Sequence, residues 1–125
     1  MELNDDRSCF VCGKENKIGL KLDIKSDKSL KKAWAVTKID KKFCGWEGIV
    51  HGGIISTLLD EVSIYACRNI SLKGVTAEIT VKFKKPVPTE TEIELKARVI
   101  EIKRRLILVQ AELLINGVVH ASAET

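Results

Sequence analysis

One stretch of this chain has helical spacing, and the rest of its patterned sequence alternates. From His51 to about Asn69, the residues Ile54, Ile55, Leu58, Leu59, Val62, Tyr65 and Ala66 recur at intervals of three and four, which predicts one helix with a wide apolar face. Before it, IGLKLDIK at 18–25 alternates Ile18, Leu20, Leu22 and Ile24 with polar or small partners, and 29–39 is a second strand candidate. After it, Ala77, Ile79, Val81 and Phe83 alternate with Glu78, Thr80, Lys82 and Lys84. Pro86 and Pro88 end that run because proline cannot donate to a ladder. Ile93, Leu95, Ala97 and Val99 mark a long strand whose apolar phase slips at Val99/Ile100, predicting a bulge or bend. Ile107, Val109, Ala111, Leu113 and Ile115 follow, and Asn116-Gly117 returns the chain through Val118, Val119, His120 and Ala121. Two-residue turns cannot join parallel strands, so the expectation is α+β: two strands, one long helix, then four strands of a curved antiparallel sheet wrapping it.

The 125 residues suit a single domain over 1–125. No apolar run approaches the roughly 20 residues of a spanning helix, and the opening MELNDDRSCF is acidic where a secretory signal is basic and then apolar. A cytoplasmic protein with no membrane partner is therefore expected. The net charge of +4 weakly favours an anionic ligand; with aromatics at 5% and no accompanying motif, nucleic acid is not an expected partner.

Cys9 and Cys12 form a CxxC, but Cys44 and Cys67 make no second pair, which argues against a zinc ribbon. The CxxC also leads into a turn rather than opening a helix, unlike a thioredoxin-type site. The cysteines read as small apolar thiols in an N-terminal turn, with no metal or cofactor expected. A metal shared between subunits, with Cys44 or His120 as a further ligand, is the minority reading.

HGGIISTLLDE at 51–61 is the most informative stretch. Each glycine inside a helix costs roughly 1 kcal/mol against alanine, so Gly52 and Gly53 need another reason, and close approach of a backbone or ligand supplies it. The unbonded N–H groups of the first turn and the positive end of the helix dipole suit an oxyanion there. At 100° per residue, Asp60 falls away from the apolar face, on a stripe with Gly53, Ser56, Ser63 and Cys67. It reads either as a solvated mid-helix acid or, because that stripe is small and uncharged, as a carboxylate beside a second subunit. Glu61, nearer the apolar boundary, can snorkel or pair with Arg68 on the same side and reads as structural.

These segments resemble the hotdog-fold thioesterases, in particular the phenylacetate-pathway-like branch that hydrolyses acyl-coenzyme A (acyl-CoA). GIVHGGIISTLLDE matches the central helix, GVTAEITVKFKKPVP the next strand and LLINGVVHASAE the closing hairpin; CFVCGKENKIGLKL is similar to the N-terminal segment of some members. The resemblance implies sheets paired edge to edge in a homodimer or dimer of dimers, with each site between subunits. The Gly52 N–H would polarise the thioester carbonyl and Asp60 of the other subunit would supply the carboxylate. His51 would shape the helix start beside Gly53, and Thr76 would hold the attacking water or simply favour a strand. Many members carry Asn or Gln six or seven residues before the histidine, where this chain has Gly45 and Cys44.

The leading expectation is thus an acyl-CoA thioesterase with Gly52, Asp60 and Thr76 as catalytic groups. A non-catalytic acyl-CoA-binding or sensing protein is the alternative, and a CxxC metal or redox protein is a third. Asp60 could act as general base or nucleophile, and the sequence leaves this open. For the coenzyme phosphates the candidates are Arg104 and Arg105 at a predicted turn, then Lys82 and Lys84 on one strand face, with ordinary surface charge as the competing explanation for each.

Overall fold

The computed structural model of the protein describes residues 2–68, 70 and 73–125. Its strands are β1 (Lys25–Asp27), β2 (Lys32–Lys38), β3 (Thr80–Phe83), β4 (Glu92–Lys103), β5 (Leu106–Ile115) and β6 (Val118–Glu124), and its one α-helix, α1, runs Gly52–Cys67 between β2 and β3. All pairings are antiparallel, in the order β1-β2-β4-β5-β6-β3. This is the hotdog arrangement anticipated from the sequence. Helix α1 packs mainly on β4, β5 and β2, and its apolar face meets the inward residues of those strands. Leu58, Leu59 and Val62 are completely buried among Ile93, Leu95, Val109, Leu113 and Val87. Burial of this kind, rather than helix propensity, holds a 16-residue helix with two leading glycines.

The β4–β5 register shifts between Val99 and Glu101, leaving Ile100 as the extra residue where the apolar phase slips. Asn116 and Gly117 both have positive φ (49° and 78°), as the two-residue turn between β5 and β6 requires. A second irregularity, at His120, was not anticipated. Leu113 pairs with Ala121 and Leu114 with Val119, so His120 bulges out. Its carbonyl accepts from the N–H groups of Lys84 and Lys85, and its ring Nδ1 lies 2.9 Å from the Pro86 carbonyl oxygen, pinning the chain just after β3.

Two expectations need correction. Residues 18–24 do not form a strand: Lys21 has φ 51°, which breaks the extended run, and Leu20 and Leu22 donate instead to the carbonyls of Phe10 and Val11. Leu22 is buried by this arrangement while Ile18 is 80% exposed, and β1 is only three residues long. The helix stripe, expected to pack on a second subunit, is also partly covered by its own chain. Ser63 and Cys67 are buried within one chain, and Ser63 donates to the Leu59 carbonyl at 2.7 Å and accepts from Thr125 at the chain end. The partly exposed residues on Asp60's side are Gly53, Ser56, Thr57 and Ile64. Among the described residues, no helix is long and apolar enough to cross a membrane.

Candidate functional site

The start of α1 explains the HGG sequence atom by atom. His51 is the N-cap: its N–H donates to the Phe43 carbonyl, and its Nδ1 accepts from the Gly53 N–H at 2.9 Å. The imidazole takes the place of the Ser or Asp oxygen that usually fills this role. A Cβ on Gly53 would lie 3.1 Å from that Nδ1, so glycine there makes room for the ring. With Nδ1 accepting, the histidine is engaged in capping, and Gly53 contributes clearance rather than a spare donor. Gly52 differs. Its N–H has no hydrogen-bond partner among the described residues, and the Phe83 ring of β3 stands beside its Cα. One unpaired donor at the positive end of a 16-residue helix is thus presented next to an aromatic wall. His51→Ala should lower stability by about 1 kcal/mol through loss of the cap, read as a lower urea midpoint with an unchanged slope.

Eight residues further along α1, Asp60 is half-buried, and its Oδ1 accepts from the Thr76 hydroxyl at 2.6 Å. A hydroxyl donating to a carboxylate at this length is a strong, charge-assisted bond. It fixes the carboxylate and leaves Oδ2 to act elsewhere. The two catalytic candidates Asp60 and Thr76 are therefore brought together, with Thr76 holding the acid directly. Gly52 stands apart from them: at 1.5 Å of rise per residue, it is about 12 Å from Asp60 along the same helix.

A cleft of about 860 Å³ opens beside Thr76, lined among the described residues by Ile64 of α1, Val75, Leu106, Leu108, Lys103 and Arg105, among others. Its walls are more apolar than polar and carry both signs of charge, Lys73, Lys103 and Arg105 alongside Glu78, Glu101 and Glu124, with Lys103 paired to Glu101 at 3.3 Å. Arg105 lines it, whereas Arg104, with φ 51°, faces a shallower hollow shared with Lys103 and Leu106. Lys82 and Lys84 lie exposed on or just beyond the edge strand β3 and do not line the cleft.

Residues 47–119 match the sequence pattern described as the thioesterase superfamily, more than half of the chain. The chain belongs to the thioesterase superfamily. A stretch of 69 residues is 41% identical to MIOREX complex component 3 of Saccharomyces cerevisiae, covering 54% of this chain and 26% of that protein. The chain thus spans about a quarter of that relative's length. Among solved structures, a thioesterase superfamily protein superposes with a TM-score of 0.86 at 24% identity, over 94% of this chain and 58% of that one. A mutant of a phenylacetic acid degradation protein from Thermus thermophilus superposes with a TM-score of 0.75 at 17% identity, over 82% and 88% of the two chains.

The two positions at which the sequence resemblance implied an amide, Cys44 and Gly45, precede the matched residues. Gly45 packs directly on His51, where an added Cβ would lie 3.3 Å from the histidine Cα, and Cys44 is exposed beside it. No side-chain amide faces the helix start from these two positions.

Sequence reasoning missed a second constellation, on another side of α1. Glu61 does not form a salt bridge with Arg68, which instead stacks on the Tyr65 ring at 3.6 Å. The Glu61 carboxylate faces Cys9 and Cys12, and the Cys9 thiol donates to Oε2 at 3.7 Å. Burial raises the Glu61 carboxyl above its usual range and pushes the Cys12 thiol up to about 11 and Tyr65 up to about 12. A thiol raised in this way is a poor redox nucleophile, which weighs against the thioredoxin-type reading. The 52-residue separation of Cys9 and Glu61 left no local signal that could have found the contact.

Proposed function

We propose that the protein hydrolyses acyl-CoA thioesters at a site assembled from two copies of the chain. The observation that carries this reading is the division of labour along α1. An unpaired Gly52 N–H sits at one point and a Thr76-held Asp60 carboxylate about 12 Å away, too far apart to act on one carbonyl within a single chain. Two helices side by side and antiparallel would bring the donor of one to the acid of the other. Membership of the thioesterase superfamily supports the reaction type, and the free edge of β3, carrying Phe83 next to Gly52, supports sheet pairing as the way two copies meet.

The chemistry follows from the groups. Attack on a thioester carbonyl builds negative charge on its oxygen, and a preorganised backbone donor stabilises that charge more than the starting carbonyl. Asp60 either takes a proton from water as it attacks or adds to the carbonyl itself, giving an anhydride that water then opens. Thr76 is a positioning residue in both routes. The acyl group would use the apolar cleft and the wall at Phe83, while Arg105, assisted by Arg104, would meet coenzyme phosphate near the surface. Lys82 and Lys84 are left as a secondary phosphate contact from the β3 edge. The assembly is a homodimer or dimer of dimers and is read as cytoplasmic.

Thiol release measured across acyl-CoAs, and from the same acyl groups on a short thiol, tests the proposal. Release from at least one acyl-CoA is expected. Arg104→Ala/Arg105→Ala should raise KM for the CoA substrate by about tenfold, more at low salt, and leave the short thioester nearly unchanged. Equal weakening of both substrates would assign the arginines to the fold. A second reading, acyl-CoA binding without turnover, is favoured by the missing amide at Gly45 and Cys44; saturable binding with no thiol release would establish it.

A further inference from the structure

The strongest unexplained constellation is the one formed by Cys9, Cys12 and Glu61. We propose that these three residues form a binding site for a thiophilic divalent metal, zinc in the first instance, which clips the N-terminal turn to the central helix. Their ligand atoms all lie within 4.8 Å of one another, and the Cys9 Sγ to Glu61 Oε2 distance is 3.7 Å. A tetrahedral zinc with Zn–S near 2.3 Å and Zn–O near 2.0 Å has S···O edges of about 3.5 Å and S···S edges of about 3.8 Å. The cluster therefore reaches metal geometry with side-chain shifts of a few tenths of an ångström to about 1 Å. Among the described residues it is the one group of three Cys, His, Asp or Glu ligands so placed.

The backbone around it is built for the purpose. Gly13, directly after the second cysteine, donates to the Cys9 carbonyl at 2.8 Å, and a Cβ there would lie 2.5 Å from both the nitrogen and the oxygen of Cys9. Only glycine closes this turn. The two residues between the cysteines have their carbonyls fixed by Leu20 and Leu22, and Val11 is buried in the core. The thiols are thus presented toward α1 by a turn that is tied on both sides, rather than by a frayed terminus. No salt bridge among the described residues satisfies the Glu61 carboxylate. Tyr65, one turn on along α1, lies beside Cys12 and would serve as an outer partner of the ligand. Three protein ligands leave a fourth position for water.

This inference is independent of the thioesterase reading, because its ligands are not the proposed catalytic groups and its readout is spectroscopic. The reduced, chelator-stripped protein is titrated with Co²⁺. The expected result is a thiolate-to-cobalt charge-transfer band with tetrahedral d–d absorption, saturating at one metal per chain and displaced by Zn²⁺. Cys9→Ser/Cys12→Ser should abolish the band, and Cys44→Ser should leave it intact. Loss of an outer partner alone typically costs 10–100-fold in affinity, so Glu61→Gln should weaken cobalt binding by at least about tenfold. X-ray absorption of the zinc-loaded native chain, which needs no variant to fold, should show mixed sulfur and oxygen ligation. Absence of a saturable band, a band that survives the double substitution, an unchanged Glu61→Gln affinity, or a shell without sulfur would each overturn the proposal.

Discussion

Asp60→Asn is expected to lower turnover of the best acyl-CoA substrate by roughly 10²- to 10⁴-fold, the range associated with a positioned general base, while leaving the thermal melt close to native. The substitution is close to isosteric, and an Asn carbonyl oxygen still accepts from Thr76, so the loop at 73–79 keeps its tie to α1. The carboxylate is half-buried and makes no salt bridge among the described residues, so removing its charge strands no partner. Loss of activity would therefore report on chemistry rather than folding. Thr76→Val gives the graded comparison: the acid remains but loses its fixed orientation, and kcat should fall less than in Asp60→Asn with KM little changed. Turnover by Asp60→Asn within a few-fold of native would remove the carboxylate from the reaction.

What the sequence disclosed depended on how local each signal was. The helix was readable because Ile55, Leu58, Leu59 and Val62 repeat with the helical period, and all four are buried. The hairpin at Asn116-Gly117 and the bulge at Ile100 were readable because positive φ and a slipped alternation leave their mark within a few residues. Residues 18–24 misled because alternation is necessary but not sufficient for a strand, and the left-handed conformation at Lys21 has no sequence signature. Ser63 and Cys67 looked like part of a face packed on a second subunit because nothing local shows that Thr125 reaches the helix. The same limit applies to the site. HGG was legible as a helix start, but the sharing of roles between its two glycines required the imidazole's position. The bond from Thr76 to Asp60 spans 16 residues and part of a loop, and the contact of Cys9 with Glu61 spans 52; no periodicity encodes either.

Gly52→Pro should cost on the order of 10²- to 10³-fold in kcat, as loss of a single oxyanion donor does. Proline suits this position unusually well. It is favoured at the first residue of a helix, where its missing N–H has no intrahelical role, and the Gly52 N–H has no partner to lose. The residue before a proline must be extended, and His51 already has φ −60° and ψ 136°. A Cβ at Gly52 would meet the Phe83 ring at 3.5 Å, an ordinary contact. The helix should form as before, with its outward donor replaced by a ring carbon. Gly52→Ala adds the Cβ but keeps the N–H, and should retain most of the activity. The pair of inactive variants then tests where the site lies. If Gly52 of one chain works with Asp60 of the other, subunits carrying Gly52→Pro and Asp60→Asn, co-refolded in equal amounts, produce hybrids with one intact site and one doubly defective site. Half of randomly paired dimers are hybrids and each has one working site of two, so about a quarter of native activity should return. A mixture as inactive as its components, with subunit exchange verified by tagged chains, would place donor and acid in the same chain and overturn the two-copy site.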